Sequence, residues 1–139
     1  TIVNFPEGEI NTREKHQRQR PAYKNLLRAH AGGPSLVISA MGDQLDALLD
    51  VTIQYPDGPP SVADFMLDRV ACVRVHVRRI TIPAGLVGGD YQDDPEFRAR
   101  FCSWINELWH GKDALIEELK KRRHPCDSDR IHREKHGMP

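Results

Sequence analysis

The stretch "ACVRVHVRRITI", residues 71–82, decides the fold. Val73, Val75 and Val77 alternate with Arg74, His76 and Arg78. Successive side chains of an extended chain point to opposite sides, so this spacing predicts a strand with one apolar and one basic face. The basic face is read as solvated, in preference to a surface for anionic headgroups. Upstream, "LDVTIQYP" (49–56) has the same period: Val51, Ile53 and Tyr55 alternate with Thr52 and Gln54, which predicts a second strand. Between the two lies the turn "DGPP", followed by Ser61 as cap of a short helix through Phe65 and Met66.

Helical spacing appears on either side. "SLVISAMGDQLDALL" (35–49) predicts a helix with Ser35 near its N-cap. Near the other end, Asp94 and Pro95 suit the N-cap and first helical position. Phe97, Phe101, Trp104, Ile105 and Leu108 then recur on one stripe, which Leu115, Ile116 and Leu119 continue past Gly111. Trp104 and Trp109 read as core packing, and the bases from Lys120 to Arg123 complement the negative helix end. Ile2–Phe5 is predicted to be a short buried strand ended by Pro6 and Gly8, and "NTREKHQRQR" (11–20), which has no apolar face, an exposed loop. Strands separated by helices predict an α/β chain, a mixed β-sheet layered with helices. Residues 1–123 form the domain; 124–139 are too polar to pack and read as a disordered tail.

Composition narrows the class. The chain has 139 residues, with Lys plus Arg and Asp plus Glu equal at 20 each, so no global field favours nucleic acid or anionic lipid. The basic stretch 12–20 lacks stacking aromatics, which argues against a nucleic-acid partner. No apolar run approaches the roughly 20 residues of a membrane span, and the opening residues predict no signal peptide. Cys72, Cys102 and Cys126 have unrelated spacings and read as reduced thiols. In the tail, His124 and Asp129 match His-x4-Asp, and Cys126, His132 and His136 include metal-ligand types. So short a match in a polar tail is read as chance, and no metal is expected.

Three blocks then carry a resemblance: "NFPEG" (4–8), "LLDVTIQYPDGPPSVADF" with "VRVHVRRITIP" (48–65, 73–83), and "GGDYQDDPEFRARFCSWINELWHGKDALIEEL" (88–119). In this order they resemble the glycerophospholipid acyltransferases, of lysophosphatidate and lysocardiolipin type, over about residues 1 to 120. The resemblance implies the C-terminal part of that fold. It also implies transfer of a fatty acyl group from acyl-CoA or acyl carrier protein to the hydroxyl of a lysophospholipid, with no further cofactor, at the cytoplasmic face of a membrane. The family's general base is the His of an Asn-His-x4-Asp block ahead of the Phe-Pro-Glu-Gly turn. That block does not precede Phe5 here, so residue 1 reads as a cut, no catalytic residue is assigned, and the chain is expected to be inactive alone.

The acceptor side is implied to involve Glu7, Gly8, Arg13 and His30. The family's Glu-Gly-Thr-Arg reads Glu7-Gly8-Glu9-Ile10 here, which places Ile10 where a phosphate-binding Arg is expected. His30 stands where the family often has Lys, and Arg13, Lys15 and Arg28 are the candidate replacement cations. These departures leave a second reading, a non-catalytic lipid- or protein-binding module of the same fold. A cut before Ile2 further predicts self-association through exposed apolar surface.

Overall fold

A computed structural model describes residues 1–45 and 47–122. The elements in chain order are α1 (Arg13–Gln19), α2 (Gly32–Met41), β1 (Leu48–Gln54), α3 (Val62–Met66), β2 (Arg74–Ile80) and α4 (Pro95–Lys121). Short 3-10 turns lie at Gly42–Gln44 and Ala84–Leu86. β1 and β2 pair antiparallel in a two-stranded sheet. The result is a mixture of helices with a small sheet, compatible with the α/β class and simpler than the mixed sheet expected. The chain divides into two units: Thr1–Asp50 with Arg78–Ala114, and Val51–Val77 with Leu115–Pro139.

The first unit holds an apolar core of Tyr23, Leu26, Leu27, Ile38, Leu86, Phe97, Phe101, Ile105 and Trp109. α4 supplies four of these at helical spacing, and its start is as the sequence predicts. Asp94 Oδ1 accepts from the N–H groups of Glu96 and Phe97 at 2.9 and 3.0 Å, satisfying two donors that the helix cannot. The aromatic pairs Phe97–Phe101 and Phe101–Trp104 lie 6.0 and 5.5 Å apart. Gly89 passes so near Phe97 that an added Cβ would sit 2.1 Å from the ring.

Several expectations are corrected. Residues 2–5 form no strand: among the described residues no strand pairs with them, and Val3 and Phe5 are exposed. Residues 11–20 are not a loop but contain α1, capped by Thr12, whose Oγ1 accepts from the Lys15 N–H. A short capped helix needs no apolar stripe. α2 begins at Gly32 rather than near Ser35, because a proline within the first turn removes an N–H that has no helical acceptor. Ser35 lies inside the helix and donates to the Gly32 carbonyl at 2.8 Å. Cys102 is a free thiol but Cys72 is disulfide-bonded, against the reading of three reduced cysteines. The tail from 124, with its His-x4-Asp match and candidate metal ligands, lies outside the described residues.

The second unit corrects the facing of the strands. Thr52, Gln54 and Arg74 are buried and His76 is half-buried, whereas Val51, Ile53, Val73, Val75 and Val77 are exposed. The basic face is therefore not the solvated one. Arg74 is held inward by donating to the Leu119 carbonyl at 2.7 Å. In α3 the capping box is complete: Ser61 Oγ accepts from the Asp64 N–H, and the Asp64 carboxylate accepts from the Ser61 N–H at 2.8 Å.

Candidate functional site

The Phe5–Gly8 turn in the first unit is closed by the Gly8 N–H donating to the Phe5 carbonyl at 2.9 Å. Gly8 has φ +66°, a conformation that glycine enters without the steric cost a Cβ would bring. Residues 27–30 hold the turn from the side. The His30 N–H donates to the Pro6 carbonyl at 2.7 Å, and the Leu27 N–H donates to Glu7 Oε1 at 3.2 Å. A Cβ at position 8 would lie 3.6 Å from the His30 ring. Glu7, Gly8 and His30 thus come together, although 22 residues separate His30 from Gly8.

Glu7 is the carboxylate with the most altered environment in the turn. Burial pushes its carboxyl above the ordinary 4.5; the Leu27 hydrogen bond and the charges of Lys112 and His16 pull the other way and do not cancel the rise. Ionised Glu7 therefore costs stability in the native state. Between the unfolded value near 4.5 and its raised folded value, the native state binds more protons, so stability falls as pH rises through that window. Glu7→Gln, which keeps a carbonyl for the Leu27 N–H, is expected to melt higher than wild type at pH 7. The gap should close below pH ~4. Equal melting temperatures at neutral pH would contradict this.

The departures from the family turn also acquire a geometry. The Glu9 carboxylate pairs with Lys15 Nζ at 3.0 Å, and this hydrogen bond holds its carboxyl below the ordinary range. Lys15 is thereby engaged by the very charge it would have to offset. Ile10 is 81% exposed, so it is not a core residue and leaves room for a longer side chain. Arg13 lies exposed at the start of α1; Arg28 is also exposed, and its backbone N–H bonds Gln19.

One cluster in the first unit escaped the sequence reading. Asp50 accepts from Lys112 Nζ at 2.7 Å and from Arg78, whose Nη2 lies at 2.6 Å and Nε at 3.2 Å. Burial alone would raise the Asp50 carboxyl, but the bonds from Lys112 and Arg78 outweigh it and hold the group below the ordinary 3.8. Lys112 also lies over the Trp109 ring, 5.5 Å from its centroid. The only signal in the sequence is the shared facing of Asp50 and Arg78 on neighbouring strands. Nearby, Asp113 accepts from the Lys24 and Asn25 backbone N–H groups, fixing the approach to Leu27. Among the described residues no group of His, Cys, Asp or Glu forms a metal site, and no helix is long and apolar enough to cross a membrane.

The order of the blocks and the Glu7–Gly8 turn define a chain similar to the acyltransferases of glycerophospholipids, and relatives bear this out. The chain is 27% identical over 135 residues to lysocardiolipin acyltransferase 1 of Danio rerio, covering 85% of this chain and 31% of the relative. It is 26% identical over 137 residues to 2-acyl-1-lysophosphatidylinositol acyltransferase of Saccharomyces cerevisiae, covering 84% and 32%. It is also 26% identical over 137 residues to an uncharacterized acyltransferase of Schizosaccharomyces pombe, covering 86% and 37%. The chain thus spans about a third of the length of the curated relatives it matches. No family model matches the chain. No solved structure matches it.

Proposed function

We propose that this chain carries the acceptor side of a glycerophospholipid acyltransferase, in which acyl-CoA donates a fatty acyl group to a lysophospholipid hydroxyl at the cytoplasmic face of a membrane. The observation that carries the reading is the tethered turn, with Glu7 half-withdrawn from water beside Gly8 and His30, in a chain similar over most of its length to lysophospholipid acyltransferases. In this reading Glu7 orients the acceptor, Arg13 supplies positive charge to its phosphate, and the His30 ring beside Gly8 offers a hydrogen bond. The one His-x4-Asp match of the chain, His124–Asp129, follows the last helix instead of preceding the Phe5–Gly8 turn, so in this reading no general base is assigned to the chain. The chain alone should therefore give only background turnover with acyl-CoA and lysophosphatidate, since losing a general base costs about 10²–10⁴-fold.

Calorimetric titration with a short-chain lysophosphatidate tests the binding role. Glu7→Ala should weaken binding. Glu9→Thr with Ile10→Arg removes a carboxylate, releases Lys15 and adds a guanidinium at an exposed position. A charge-assisted hydrogen bond is worth about 1.5–3 kcal/mol, so affinity should rise roughly ten- to a hundredfold. Identical affinity in all three proteins would sink the site. A second reading, a non-catalytic module of the same fold, is favoured by the Glu9–Lys15 pair occupying the place of a phosphate cation. It predicts no gain from the double substitution.

A further inference from the structure

Glu9 puts a full negative charge one residue from Gly8, beside the turn that Leu27 and His30 tie down. Its Oε2 lies 3.0 Å from Lys15 Nζ, and the two side chains keep 38% and 36% exposure. The hydrogen bond from Lys15, helped by the charges of Arg18 and His30, holds the carboxyl below its ordinary 4.5. Glu9 is therefore ionised from about pH 5 upward. Lys15 is engaged by this pair, and the exposed Ile10 next to it has no donor in its side chain. We propose that Glu9 is a specificity residue, selecting an acceptor whose phosphate is a diester over one whose phosphate is a terminal monoester. This inference rests on the acceptor reading of the Glu7–Gly8 turn.

A phosphodiester carries one negative charge on two unesterified oxygens. A terminal phosphomonoester has three such oxygens and gains a second charge above a pKa of about 6. That charge and that oxygen call for a further cation or donor. Beside the turn, Lys15 is already bound by Glu9, and Lys112, a base whose charge reaches Glu7, is bound by Asp50 at 2.7 Å. Arg13 and the His30 ring are then shared among the phosphate oxygens, and a dianion meets the fixed charge of Glu9 as well. Water screens so exposed a site. One more unit of like charge about 5 Å away in water lowers affinity roughly fourfold. The discrimination comes from a repulsive element, which disfavours one ligand without any new contact to the other. Glu7, His16, Arg18 and His30 face either ligand in the same way, so the ratio of the two affinities isolates the part of Glu9.

Calorimetric titration of the 139-residue chain with a short-chain lysophosphatidate and with the lysophosphatidylglycerol of the same acyl chain tests this. At about pH 8 the diester should bind roughly fourfold more tightly. At about pH 5, where the monoester has lost its second charge, the two should bind within about twofold of each other. Glu9→Gln removes the repulsion and releases Lys15, so the preference at the higher pH should vanish or reverse. Lys15→Met leaves Glu9 without that partner and should widen it. A merely structural part for Glu9 would move both affinities together and leave their ratio, and its pH dependence, as they were. A monoester bound as tightly as the diester at the higher pH, or a ratio that neither substitution moves, overturns the inference and leaves the acceptor reading standing. Binding of neither ligand overturns both.

Discussion

Gly89→Ala is expected to lower the melting temperature by roughly 10 °C, corresponding to about 2–3 kcal/mol for a chain of this size. The added Cβ would lie 2.1, 2.2 and 2.6 Å from three atoms of the Phe97 ring. Phe97 is 2% exposed and stacks near Phe101, which is wholly buried, so the ring has little space to retreat. No left-handed backbone is involved at this position, so the effect is overpacking. A double-mutant cycle identifies the cause: with Phe97→Leu in place, the further loss from Gly89→Ala should be markedly smaller. Thermal melts of the four proteins give the answer, and strictly additive shifts would show that the close approach is not responsible.

Asp50→Asn should cost about 2–3 kcal/mol at pH 7, somewhat less than for a fully buried ion pair because Asp50 and Lys112 keep 15% side-chain exposure. The amide leaves Lys112 and Arg78 facing each other without their shared anion. The pH dependence follows from the lowered carboxyl of Asp50. Its contribution is present above the unfolded value of 3.8 and is lost as pH falls through the lower folded value. Urea unfolding should therefore separate wild type from variant at pH 7 and bring them together in strong acid. Moderate salt should change the difference little, because partly buried pairs are weakly screened. A variant as stable as wild type at pH 7 would show that the cluster contributes nothing net.

The last helix was legible in the sequence because its signals agree: Asp94 caps, Pro95 fits the first turn, and Phe97, Phe101 and Ile105 are buried as their spacing implies. The two strands were legible as strands, but their facing was not. Alternation says that Val75 and His76 lie on opposite sides; which side is covered depends on what packs there, and Arg74 reaching Leu119 is a bond 45 residues long. The start of the chain is not legible for the related reason that an apolar run such as Ile2–Phe5 becomes a strand only beside a partner strand. At the candidate site, Glu7, Gly8 and His30 are all marked by the resemblance, and the structure brings the three together. Lys112 was invisible because nothing in a helix stripe marks one lysine as the partner of a strand aspartate.

The inward face of the two-stranded sheet bears on what its burial means. Thr52 Oγ1, Gln54 Oε1 and His76 Nδ1 have no hydrogen-bond partner among the described residues, yet each is shut away from bulk solvent. Unpaired groups of this kind make a dry interior unfavourable, so hydration of that space is downhill where hydration of an aliphatic core would be uphill. Low accessibility there is thus a statement about shape rather than dryness, and the amides of 52 to 54 should trade their hydrogens with solvent sooner than those behind Phe101 in the first unit.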